Sequence, residues 1–297
     1  MRKSILLLVA LFLVLSVSAQ QPALDSLKVA LQGAKNDIDR AQLLNAISTE
    51  YRQSDPKQMR EYANQAKALA QKIKYRLAEG NALLNLGNAN IILGNYPDAL
   101  RSFADAQMVF ESSSEPNDKE IRNGLARAYG SIGIVFSEQS NYAKALQYHL
   151  KAVKIYETLG DLDRSARIYN NIGIVYKAQG EHFRALEYFI KCLKIQERTN
   201  DATAGITMTN IGNIYLDEKN ETKAFEYYGK ALRHFEKHPD FRGLGELYNN
   251  LGLYYKRTGN ADKALAQFDL AHKAFAKIKD KFGASDTYAF IGEIDFD

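Results

Sequence analysis

A glycine returns about every forty residues along this chain. It stands at Gly87, Gly133, Gly173, Gly212, Gly252 and Gly292, each preceded by leucine or isoleucine, with spacings of 46, 40, 39, 40 and 40. A period of that length means repeated units, each too small to bury its apolar face except against its neighbours. Other positions keep the same register. Twelve residues after the first five glycines come Ala99, Ala145, Ala185, Ala224 and Ala264. Sixteen after come Phe103, His149, Phe189, Tyr228 and Phe268, and nineteen after come Ala106, Ala152, Cys192, Ala231 and Ala271. Three after, most copies carry an aromatic: Phe136, Tyr176, Tyr215 and Tyr255. A weaker copy precedes these, with Ile47 in the glycine's place, Met59 for the first alanine and Ala66 for the second.

Each unit reads as a helix A, a short turn and a helix B. Glycine inside a helix costs about 1 kcal/mol relative to alanine, so its recurrence on helix A needs a reason. Close approach of helix B supplies one, with the small residues seven apart on helix B expected to meet the gap and the aromatics expected between successive repeats. Turns are marked by Gly94-Asn95, Ser140-Asn141, Gly180-Glu181, Lys219-Asn220 and Gly259-Asn260. Asp161, Asp201, Asp240 and Asp280 precede successive A helices, where an aspartate caps free N–H groups and suits the helix dipole. The longest spacing holds an insertion, Ser112 to Asp118, rich in serine and predicted to form a polar surface loop.

Six or more copies of L-G-x-x-Y…G-x-Y-x-x-A…F-x-x-A in register resemble the tetratricopeptide repeat family over residues 38–297. A spacing near 40 exceeds the 34 typical of that family. It is similar to the longer repeats of kinesin light chains and the mitotic-spindle adaptor family. The resemblance implies an all-α fold: a right-handed α-solenoid of antiparallel helix pairs that binds peptides or proteins and does no chemistry. The organisation expected is a signal peptide at 1–19, a capping segment at 20–37, and an array at 38–297 of six helix pairs and an incomplete seventh. That last helix A has no helix B after it, so its apolar residues Ala289 and Ile291 are expected to lack a cover and the end to fray.

In such arrays ligands lie on the face formed by the A helices. Positions −6, −3, −2, +1 and +4 from the glycine make one stripe by helical spacing. Position −2 holds Asn45, Asn85, Ser131, Asn171, Asn210 and Asn250. Asparagine is a poor helix-interior residue, so propensity does not explain the row. Its amide offers a donor and an acceptor, the pair that holds an extended backbone without reading side chains. The candidate groove residues are Asn85, Asn88, Ile134, Asn170, Asn171, Ile174, Asn210, Asn213, Asn249, Asn250 and Leu253. The alternative is that these amides bond neighbouring A helices and stiffen the stack. The lysine and asparagine register of the carboxylate clamp found in chaperone-binding relatives is met by no three consecutive repeats, and apolar +1 residues point to a ligand with hydrophobic side chains.

Chemistry finds little footing. The five histidines, His149, His182, His234, His238 and His272, fall on helix B or its ends and read as solvated. His234 and His238 are four apart, a spacing compatible with a metal pair, yet no cysteine or paired carboxylate completes a site. There is no phosphate-binding glycine loop, nucleophile elbow or metalloprotease motif. No cofactor or metal is expected. The single cysteine, Cys192, has no internal disulfide partner and occupies a small packing position, so it reads as buried and inert.

The N-terminus carries Arg2 and Lys3, an apolar run from Ile5 to Leu15, and Val17-Ser18-Ala19 before Gln20. This is the pattern of a secretory signal peptide, and the run is short for a membrane span. Without Arg2 and Lys3 the formal charge falls from +4 to +2, too balanced for a nucleic-acid footprint. The function expected is an exported scaffold binding a peptide or protein segment, periplasmic or secreted, with no membrane span in the mature chain. Two rivals stand beside it: the extracytoplasmic sensor region of a histidine kinase or regulator whose output domain is absent from this chain, and a hydrolase or phosphatase on a repeat scaffold.

Overall fold

The computed structural model describes residues 22–294, and every regular element among them is a helix. The signal peptide at 1–19 and its cut at Gln20 lie outside the described residues. The helices are α1 (22–33), α2 (Asp37–Glu50), α3 (Pro56–Lys72), α4 (Arg76–Ile92), α5 (Tyr96–Glu111), α6 (Lys119–Glu138), α7 (Tyr142–Leu159), α8 (Leu162–Ala178), α9 (His182–Thr199), α10 (Ala204–Asp217), α11 (Glu221–Lys237), α12 (Phe241–Arg257), α13 (Ala261–Lys277) and α14 (Lys281–Gly292). They divide at Gly160 into two compact units, α1–α7 and α8–α14. In each, an even-numbered A helix pairs with the odd-numbered B helix after it, and A helices pack in turn: α2, α4 and α6 in the first unit, α10, α12 and α14 in the second.

From α4 onward, the turn between A and B is set by one residue with positive φ. Gly94, Gly180 and Gly259 fill it at +76°, +75° and +73°, where glycine pays no steric penalty, and Ser140 and Lys219 fill it at +57° and +58°. The next residue caps helix B: Asn95, Asn141, Asn220 and Asn260 each accept from the backbone N–H three residues on. Asp161, Asp240 and Asp280 cap A helices as expected. Asp201 does not. Helix α10 starts later, at Ala204, and Asp201 instead accepts from the backbone N–H and hydroxyl of Thr203 in the turn before it.

What fills the gap at the repeat glycine is a ring. A methyl group on Gly173 would lie 2.8 Å from the Phe189 ring, and on Gly252 2.5 Å from that of Phe268. The +16 side chains therefore press directly onto helix A, while the alanines at +12 and +19 are fully buried on either side. At Gly133 the ring is His149, which is 1% exposed and corrects its reading as a solvated histidine.

A second plug lies seven residues, about two turns, further along helix B. Phe110 is held between Gly80 of its own A helix and Gly124 of the next; Phe235 sits the same way between Gly205 and Gly243, and Phe275 between Gly245 and Gly283. These rings, not the +3 aromatics, bridge successive repeats. The +3 aromatics stack inside their own repeat: Phe136 on Tyr148, Tyr176 on Tyr188 and Tyr215 on Tyr227, with ring centres 5.6–5.8 Å apart. A cation covers each outer ring, Lys144, Arg184 and Lys223 lying 5.1–5.6 Å from the centres.

At the last described turn, Ala289 is exposed as expected, but Ile291 is not left bare. It is partly buried in a cluster where Ile294, 7% exposed, packs with Ala264 and Phe268 of α13.

Candidate functional site

The asparagine row divides by what its amides do. In the first unit Asn45 donates to the Ala78 carbonyl at 2.9 Å, and Asn85, 4% exposed, donates to the Asn45 carbonyl at 3.2 Å. These amides tie α2 to α4, which is the stiffening role. Asn88, at +1 of the same repeat, is half-buried, and Ile134 on α6 is exposed.

In the second unit the row opens onto two clefts. One, of about 400 Å³, lies between α10, α12 and α14 and is lined by Asn210, Asn213, Asn249, Asn250 and Leu253 with aromatic walls from Phe275, Phe282 and Phe290. The other, of about 310 Å³, adjoins it toward the C-terminal ends of α10 and α12, bounded by Lys177 of α8, Asp217, Tyr228, Lys256 and Arg257. Asn213, Asn250 and Leu253 line both. The helices pack so that −2 and +1 residues face outward from the A layer, because the glycine and its apolar neighbours must face helix B.

Individual amides there are differently engaged. Asn249 is buried and meets the Thr287 hydroxyl of α14 at 3.1 Å, so it also joins A helices. Asn213 accepts from the Tyr228 hydroxyl at 2.6 Å. Asn210 and Asn250 are half-buried and hydrogen bond no other described side chain or backbone group. On α8, Asn171 is half-buried and Ile174 is 44% exposed, while the Oδ1 of Asn170 is buried without a hydrogen-bond partner. Neither cleft is lined by Asn170, Asn171 or Ile174.

Charge around the clefts is uneven. Desolvation raises the Glu246 carboxyl above its ordinary range, opposed by Arg242, and lowers the Lys177 ammonium, opposed by Asp217. Arg242 is paired with Asp280 at 2.8 Å and Lys256 with Glu293 at 2.8 Å. Glu246 and Asp286 both stand at −6 of the stripe, whereas Phe282 was missed, because it joins this face only once α14 has docked on α12.

Among the described residues no group of three or more histidine, cysteine or acidic side chains is placed to hold a metal. His234 and His238 do stack, with ring centres 4.7 Å apart. Cys192 is fully buried, and burial pushes its thiol up to about 11, against a weak contact with the Thr207 hydroxyl at 3.5 Å; a thiol so placed is a poor nucleophile. No described helix is long and apolar enough to cross a membrane.

Paired antiparallel helices, with a glycine opposite a ring and a left-handed turn residue in the five repeats from α4 to α13, define an α-solenoid of the tetratricopeptide class. Residues 125–159, 164–237 and 245–274 each match tetratricopeptide repeat models, so these stretches carry tetratricopeptide repeats. No curated protein matches it in sequence. Solved structures share its fold. The apo form of RapI is 21% identical, with 89% of this chain and 91% of that one covered and a TM-score of 0.65. The Rap conjugation gene regulator of plasmid pLS20, in complex with the Phr* peptide, is 15% identical over 93% of this chain and 80% of that one, with a TM-score of 0.64. The nearly identical repeats of a putative kinesin light chain from P. anserina are 13% identical over 67% and 95%, with a TM-score of 0.55.

Proposed function

We propose that this protein is exported and works by binding, holding an extended segment of a partner protein or a peptide against the A-helix face of α10, α12 and α14. One observation carries the reading: Asn210 and Asn250, at equivalent places in successive repeats, present amides with no partner among the described residues at the walls of adjoining clefts. An unengaged amide pair suits a peptide backbone, whose N–H and C=O groups need one acceptor and one donor each. Phe282, Phe290 and Leu253 offer apolar contact for side chains of the same segment. The peptide held by the pLS20 regulator shows that a chain of this fold has taken such a ligand. Export rests on the charged start, apolar run and Val17-Ser18-Ala19.

Capture tests the reading. Chain beginning at Gln20, used as bait in an envelope extract, should retain a partner that releases when a peptide from that partner is added. A partner that binds equally well to bait with α10–α14 blocked by a bulky label on an Asn250→Cys variant in a Cys192→Ala background would refute it. Mass spectrometry of the native protein should place its N-terminus at Gln20, and full-length chain in the cytoplasm would refute export.

A further inference from the structure

Resting on that reading of the face, we infer that its two clefts select opposite charges on one extended segment: a basic side chain beside Glu246 and Asp286, and an acidic one beside Lys177 and Arg257. The α10–α12–α14 cleft holds Arg242, Glu246, Asp280 and Asp286. Arg242 pairs with Asp280, and no described cation forms an ion pair with Glu246 or Asp286, so this cleft sets three carboxylates against one guanidinium. The adjoining cleft holds Lys177, Asp217, Lys256 and Arg257. Lys256 is spent on Glu293, which leaves two cations against one carboxylate.

The directions in which these groups titrate agree with that picture. Glu246 is pushed up and Lys177 down, each chiefly by desolvation that its nearest opposite charge does not cancel. A ligand charge of the right sign would relieve each of them. The aromatic walls of the first cleft, Phe275, Phe282 and Phe290, add a surface on which a guanidinium or ammonium group is favoured.

Spacing follows from the helix. Glu246 and Arg257 are eleven residues apart on α12, about 16 Å at 1.5 Å per residue. An extended segment rises about 3.3 Å per residue, so the two ligand charges stand about five residues apart. Between them the backbone passes Asn213, Asn250 and Leu253, which border both clefts. The amides would hold the backbone, and the charges would decide which way it runs.

The probe is a set of fluorescent nonapeptides, acetylated and amidated, on one leucine, asparagine and serine framework. Two carry arginine and glutamate five apart in opposite orders; the others carry one charge or none. The mature chain should bind one order about three- to tenfold tighter than the other, given the modest strength of exposed ion pairs, and added salt should shrink the gap. Glu246→Lys with Arg257→Glu should reverse the preferred order, with helix content unchanged by circular dichroism. Equal binding of every peptide, abolished by Asn210→Ala with Asn250→Ala, would overturn the charge reading and leave the binding face standing. No binding by any peptide at millimolar concentration would also overturn the charge reading, and the face would then be judged on the captured partner alone.

Discussion

The hydroxyl of Tyr228 donates to the Oδ1 of Asn213 at 2.6 Å. Tyr228 belongs to the core of its repeat, its ring against Gly212, and its oxygen emerges on the A-helix face beside Asn213. The core thus fixes which way an amide of the candidate site points: the oxygen is engaged inward and the NH₂ is left for the cleft. Tyr228→Phe keeps the ring and removes the bond. Unfolding in urea should show a loss of about 0.5–1.5 kcal/mol, the net worth of one such bond. A variant as stable as wild type would mean that the bond does not hold Asn213.

Two glycines in neighbouring helices separate close packing from helix propensity. A methyl group on Gly212 would meet the Tyr228 ring at 2.5 Å and the Ala224 carbonyl at 3.3 Å. On Gly229 it would meet only the flexible end of Arg233, at 3.5 Å. Alanine at 229 should therefore stabilise by up to about 1 kcal/mol through propensity. Alanine at 212 should destabilise by about 1–3 kcal/mol through overpacking. Thermal melts of the two variants moving in the same direction would contradict this account of the repeat.

His149 makes the first unit sensitive to acid. Burial lowers its imidazole to about 4, from an ordinary value of 6.5, and its buried Nδ1 has no hydrogen-bond partner. The unfolded chain then binds the proton more readily than the folded one between those two values. Stability is complete above pH 6.5, falls as the pH drops toward 4, and loses about 3 kcal/mol at most from this group. His149→Phe restores the ring found in the other repeats, so its advantage over wild type should grow between pH 7 and pH 4.5. An advantage that is constant with pH would show that the histidine is not buried neutral.

Much of this architecture was legible before any coordinates. The forty-residue register marks Gly173 and Gly212 as contact points, Gly94 and Gly259 as turns, and Asp240 and Asp280 as caps, because each is a local requirement met by one residue type. The second plug was not legible. A ring stands there in four repeats, as Phe110, Tyr156, Phe235 and Phe275, with Gln196 in the fifth, but the glycine slots of the three phenylalanines are split between one A helix and the next. Asp201 misled because capping depends on where the helix begins, and the turn there runs on to Thr203. The asparagine row was visible as a row. Its division into Asn45 and Asn85, which tie helices, and Asn210 and Asn250, which do not, depends on which carbonyl the neighbouring helix presents, and no single repeat encodes that.

The central claim is that Asn210 and Asn250 hold the ligand's backbone. Once a partner segment has been captured, its affinity for Asn210→Ala with Asn250→Ala decides the matter. Two lost amide contacts, each worth about 0.5–1.5 kcal/mol, should weaken binding by about fivefold to 150-fold. Helix content and melting temperature should hold or rise, since alanine is the better helix former and neither amide bonds another part of the fold. Undiminished affinity in a folded double variant would contradict the account and move the site off this face.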